Sequence, residues 1–182
     1  NIETRVLSTF KLKPAAPSTP GARPTARHSD SSLGSVTVEL HHSMVQLPEK
    51  MMLPRIYDKR VGIFAGNHQD YSSDRNQVEN ITYIRRWRLE KKDPAAEVSE
   101  PVKPIIYYVG RGIPEKWQQY VKEGIEMWQP VFEKAGFKNA IIGKMAPSLE
   151  DDPDFDAEDV RNSTERWLPS TIANAYGPHV QD

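Results

Sequence analysis

One stretch constrains this chain more than any other. Residues 103–145, KPIIYYVGRGIPEKWQQYVKEGIEMWQPVFEKAGFKNAIIGKM, read as strand, helix, strand. Pro104 to Val109 is a short unbroken run of β-branched and aromatic residues, the pattern of a strand buried on both faces. Gly110, Gly112 and Pro114 then punctuate the chain, and Pro114 suits the first turn of a helix, where its missing N–H is not needed. Glu115 beside it faces the positive end of the helix dipole. From there Trp117, Val121, Ile125, Trp128, Phe132 and Ala135 recur at helical steps, which predicts one apolar stripe packed as core. Pro130 falls inside this pattern and is expected to kink its last turns, while Gly136 stands where a left-handed cap is wanted. Asn139 to Met145 is the second strand. Two strands joined by a helix of this size are expected to lie parallel, with a right-handed crossover.

The rest of the chain is poorer in such signals. Only 37% of the 182 residues are hydrophobic, which is low for a self-contained globule and suggests a fragment of a longer protein. A net charge of −1 gives no reason to expect a nucleic-acid partner or an acidic membrane surface. The absence of cysteine excludes disulfides and thiolate metal sites without fixing the compartment. No apolar run approaches the ~20 residues of a membrane span.

In chain order, Ile2 to Leu12 is strand-like. Residues 13–35 carry prolines at 14, 17, 20 and 24 and read as a long loop. Val36 to Met44 alternates apolar and polar, predicting a half-buried strand antiparallel to the first. Residues 47–60 form a proline-broken connector before a short strand, Val61 to Ala65. A polar, turn-rich stretch, Gly66 to Gln77, then leads to a strand from Val78 to Leu89. The charged segment around Asp93-Pro94 marks a domain boundary near 91–101, separating a β-rich region, 1–95, from a second region, 100–182. Beyond the central unit come an acidic loop, a strand at Thr164 to Ser170, and a turn-ended extended segment, Thr171 to Pro178.

Few residues in this pattern carry chemistry. His28, His41, His42, His68 and His179 include no H-E-x-x-H pair. His41 and His42 are adjacent in a strand, so their rings point to opposite faces and are poorly placed to share an ion. Seven of the ten residues from Glu150 to Asp159 are acidic, but the glycine and the final glutamate of a calcium loop are missing, so a solvated acidic loop is the default reading. Arg85-Arg86-Trp87-Arg88 is better explained as a charge-guarded strand edge than as a nucleic-acid patch. Gly110-Arg111-Gly112 is too short for a phosphate loop. No complete active site is present in the residues themselves, and the expected catalytic and metal assignments are none.

Several longer segments carry a resemblance. VTVELHHSMVQLPEK, PRIYDKRVG, YIRRWRLEKKDP, SEPVKPIIYYV, IPEKWQQYVKEGIEMWQ with FEKAGF, EDVRNSTERW and ANAYGP are similar to a large family of bacterial zinc-dependent metalloproteases. In that family a β-rich domain of unassigned role precedes a metzincin-like catalytic domain. The resemblance covers nearly the whole chain and is weakest in the proline-rich loop. It implies an α+β protein: a β-rich N-terminal region, then the upper strand-helix-strand part of a zincin-like domain. It also implies a secreted or periplasmic peptidase with Zn2+ in the complete enzyme only, the chain stopping before the zinc-binding helix. The implied partners are the remainder of its own polypeptide and a peptide or protein substrate. Ala173, Asn174, Ala175, Tyr176 and Gly177 resemble the edge strand that pairs with substrate backbone. The rival expectation is a non-enzymatic β-rich binding or structural module.

Overall fold

The computed structural model describes residues 2–11 and 35–177. The expected proline-rich loop therefore lies outside the described residues, apart from Ser35 at its end, as do His28, Pro178 and His179. Among the described residues the protein is α+β, with short sheets and one main helix. Its residues fall into two compact units, Asn1–Gln46 and Leu47–Asp182.

The first unit is a hairpin of β1 (Ile2–Lys11) and β2 (Ser35–Met44), antiparallel as the alternation predicts. Its register runs from Ile2 opposite Met44 to Lys11 opposite Ser35. This pairing puts Ile2, Val6, Phe10, Val36, Val38, Leu40 and Met44 on one face, because side chains alternate along each strand. The opposite face is held by polar pairs. Arg5 Nη1 donates to Glu39 Oε1 at 3.4 Å, and the Thr9 and Thr37 hydroxyls lie 2.7 Å apart. His41 Nε2 lies 3.0 Å from Glu3 Oε2, also on that face.

In the second unit, β3 (Ala65–Asp70) pairs antiparallel with β4 (Glu79–Ile84). The strand therefore begins where the expected one, Val61 to Ala65, was to end. Residues 58–63 instead form a turn, with Val61 N–H on the Asp58 carbonyl at 3.0 Å and Asp58 gripping Arg60. The strand expected to reach Leu89 stops at Ile84, and the cause is visible in the arginines. Arg86 Nη2 donates to the Leu53 carbonyl and Arg88 Nη1 to the Lys50 carbonyl, at 2.8 Å for the latter. These side chains tie down the backbone of the connector before β3.

The remaining elements are β5 (Ile105–Val109), α1 (Glu115–Glu126), α2 (Gln129–Lys134), β6 (Ile141–Met145) and β7 (Ser163–Glu165). β5 is the central strand, parallel to β6 on one side and to β7 on the other. The expected parallel pairing of the two apolar strands is thus observed, from Ile105 opposite Ile141 to Val109 opposite Met145. Pro130 does more than kink the helix. It sits in the first turn of α2, and the ladder breaks at Met127 and Trp128 because Pro130 has no N–H to donate. The C-terminus closes as the sequence indicates. Gly136 has φ 90°, its N–H donates to the Glu133 carbonyl, and the Phe137 N–H to the Phe132 carbonyl, both at 2.9 Å. Those are the two bonds of a Schellman closure.

Ile105, Val109, Ile113, Ile125 and Ile141 form the buried core, with Leu89, Tyr107, Val121 and Phe132 packed against it. Gly143 is what lets α1 lie this close to β6. A Cβ there would stand 2.9 Å from Lys122 Cγ and 3.2 Å from the Lys122 carbonyl oxygen. The segment 91–101 is bonded into this unit as well. Ser99 is buried, its N–H donates to the Gly136 carbonyl at 3.1 Å, and the Lys91 ammonium donates to the carbonyls of Ala96 and Glu97.

The predicted stripe needs one correction. Its cover is uneven: Ile125 is buried and Val121 and Phe132 are partly so, but Trp117 is 44% exposed and Trp128, between Ile125 and Phe132, is 59% exposed. Trp128 stands at the break between α1 and α2, where the stripe no longer follows a single helix.

Candidate functional site

Two places in the second unit could meet another molecule. The first is the segment that sequence similarity singles out. Ala173, Asn174, Ala175, Tyr176 and Gly177 are exposed and lie outside regular elements. Among the described residues Ala173, Asn174, Ala175 and Tyr176 take part in no ladder or bridge. They follow β7, the sheet's edge strand, after an exposed run that includes Trp167, Leu168 and Ile172. Among the described residues no cluster of His, Asp or Glu side chains is brought to them.

The second place was not legible in the sequence. A cavity of about 500 Å³ opens between the helices and the sheet. Its lining includes Trp87, Tyr107, Trp128, Phe132, Ile125 and Glu165. Each wall comes from a different part of the chain. Trp87 arrives on the strand-like run after β4, and its ring meets Tyr107 edge-on at 6.2 Å. Tyr107 is on β5, on the same side as Ile105 and Val109. Trp128 and Phe132 come from the broken helix, and Glu165 closes the far side on β7. The break before Pro130 matters here, since Trp128 at the break and Phe132 in α2 both line the cavity.

Charge in this cavity is one-sided. Glu165 is exposed and has no ion-pair partner among the described residues, and no lysine or arginine lines the walls. The Tyr107 phenol is pushed above its ordinary pKa by burial and, secondarily, by the Glu165 charge. Arg166, next along, is turned away to Glu158 at 3.3 Å.

The acidic loop, 150–159, is largely satisfied within itself. Asp152 accepts from Asp154 N–H at 3.2 Å, and Asp156 from Glu158 N–H at 2.9 Å. Asp159 is 5% exposed and takes Arg161 in a two-point grip, with Nε 2.8 Å from Oδ1 and Nη2 on Oδ2. Phe155 from this loop meets Tyr108 edge-on at 4.9 Å, so the loop covers the sheet face opposite α1. Among the described residues no three His, Asp or Glu side chains converge in a way that could hold a metal ion. His41 and His68 are engaged elsewhere, with Glu3 and with the Tyr83 ring. The donor set of a zinc site is therefore not found in the residues described.

Fold and site together define an α+β protein in which a strand-rich leading region precedes a parallel sheet–helix unit. Residues 1–92 match the family model described as a domain of unknown function, DUF5117, and the chain belongs to that family. Comparison with curated proteins and with solved structures gives no match.

Proposed function

We propose that this chain is the leading portion of a zinc-dependent metallopeptidase, inactive by itself, that contributes a β-rich domain and the upper, substrate-rimming part of the catalytic domain. The observation that carries this reading is the parallel β5–α1–β6 unit whose edge strand β7 leads on to an exposed segment at 173–177. An extended peptide needs backbone partners before its scissile carbonyl can be held, and an open strand edge supplies them. Zinc, a secreted or periplasmic address and a peptide substrate belong to the proposal. No chemical step is assigned to a residue of this chain, because the described residues offer no ligand set for the metal.

The test uses the full-length parent polypeptide. Replacing Ala175 with proline removes a backbone donor from the rim and should cut peptide turnover at least about tenfold while leaving zinc content unchanged. A parent that hydrolyses no peptide, or one whose turnover ignores this change, would sink the reading. The 182-residue chain should in addition show no stoichiometric zinc isotherm in calorimetry at neutral pH without an affinity tag. A second reading, a non-enzymatic binding module, is favoured by the hairpin, where Ile2, Val6, Phe10 and Met44 are exposed on one face.

A further inference from the structure

The cavity between the helices and the sheet has a chemistry that the peptidase reading does not use. Its walls are aromatic at four places, Trp87, Tyr107, Trp128 and Phe132, and aliphatic at Val121, Ile125 and Ile141. Its volume of about 500 Å³ is in the range of sites for small organic ligands. The one charged side chain in the lining is Glu165, with no ion-pair partner among the described residues. Aromatic rings present a negative quadrupole to a cation, and several rings converging on one space attract organic cations most strongly once water is displaced. An anion would meet both the carboxylate and the rings and be repelled. A neutral apolar molecule would fill the space but leave the carboxylate without a counter-charge.

We propose that this cavity binds a small organic cation with an apolar body, of the alkylammonium or arylammonium class, seated among Trp87, Tyr107, Trp128 and Phe132 with Glu165 as its counter-charge. Each part of the lining then has a role. The rings and Ile125 take the methyl or methylene groups, and Glu165 on the exposed edge strand sits beside the charge. The elevated Tyr107 phenol pKa agrees with this picture, since a buried hydroxyl near an unpaired carboxylate resists becoming a second anion. The site is independent of the peptidase reading: it lies on the helix side of the sheet and needs no metal.

Choline and its uncharged isostere 3,3-dimethylbutan-1-ol, titrated against the full chain, separate charge recognition from simple space filling. The readout is the indole N–H signals, assigned with tryptophan variants. Choline should shift the Trp87 and Trp128 signals saturably while leaving Trp167 in place. The neutral isostere should bind at least about fivefold more weakly, the scale of one exposed cation–aromatic interaction. Glu165→Gln, an exposed substitution on β7, should weaken choline about threefold and leave the isostere unaffected. Trp128→Leu should weaken choline more than Glu165→Gln does. Where Trp128→Leu loses the far-ultraviolet circular dichroism of the parent, the Glu165→Gln comparison carries the test alone. Equal affinity for the two compounds would make the cavity an apolar packing surface and overturn the proposal. No saturable shift at tens of millimolar choline, or shifts confined to Trp117 or Trp167, would overturn it as well.

Discussion

The β1–β2 hairpin and the β5–α1–β6 unit are both regular, yet they are held together by different physics. The hairpin has ten paired positions and no buried side chain, and its strength lies in ladder bonds and cross-strand pairs such as Thr9 with Thr37. The sheet–helix unit has ladders half that length but owns the buried core, with Val109 at 1% exposure. A lone two-stranded ribbon is marginal in water, because ladder bonds largely replace bonds to solvent. Regularity and stability are thus separate properties in this chain, and the longer ladder is the weaker structure.

The sharpest way to break that comparison is a matched pair of truncations followed by urea denaturation of the full chain. Ile105→Ala in the core should cost about 2–5 kcal/mol, by lost burial and a residual cavity. Val6→Ala in the hairpin should stay within about 0.5 kcal/mol. Comparable losses at both would mean that the hairpin face is covered in solution. Next in size is Gly143→Ala, where the added methyl meets the Lys122 backbone and α1 must move. A destabilisation of about 1–3 kcal/mol is expected from such overpacking, read as a lower denaturation midpoint. Asp159→Ala should cost about 1–3 kcal/mol, because it strips the buried carboxylate that orders 159–162 and leaves backbone donors such as the Arg161 N–H unsatisfied. Proteolysis of the acidic loop should accelerate in that variant.

The smallest effect concerns pH. Glu100 is held below the ordinary carboxylate value, first by its hydrogen bond to Lys92 and then by that to Asn139. A carboxyl whose folded pKa is depressed contributes stability above its unfolded pKa and loses it as pH falls through the folded one. Carbon-detected NMR should therefore show Glu100 titrating below 4.5, and Lys92→Met should move it upward. An unchanged titration would show that the Lys92 contact is not formed in solution.

How legible the fold was depended on what made each element form. Alternation in 36–44 and the apolar run 104–109 were readable, because burial there is written into the side chains of the strand itself. β3 was not, since AGNHQD has no alternation and takes its strand conformation from pairing with β4. Arg86 and Arg88 ended β4 by reaching back to Leu53 and Lys50, a tertiary cause that no local pattern encodes. The helical stripe was visible but its uneven cover was not, so Trp117 and Trp128 read as core. The cavity could not have been found from spacing, because Trp87, Tyr107, Trp128 and Glu165 come from four separate parts of the chain and meet only in the tertiary fold. The segment 173–177 is exposed where similarity pointed, with no side-chain chemistry of its own beyond that position.

β7 is three residues long and is held by its pairing with Tyr107, Tyr108 and Val109 and by the Gly110 N–H on the Glu165 carbonyl at 2.9 Å. Its end is pressed so closely on Gly110 that a Cβ there would come within 2.6 Å of the Glu165 carbonyl. A strand that short, at a sheet edge and fed by an irregular loop, is the piece of this unit with the least free energy holding it in place. Amide exchange should accordingly open β7 well before β5 or β6. That ranks the lining of the cavity by lifetime: Tyr107, Ile125 and Ile141 belong to the slow-opening core, and Glu165 to the strand that opens first. The carboxylate's place at the cavity is then kept on a timescale set by the edge rather than by the core.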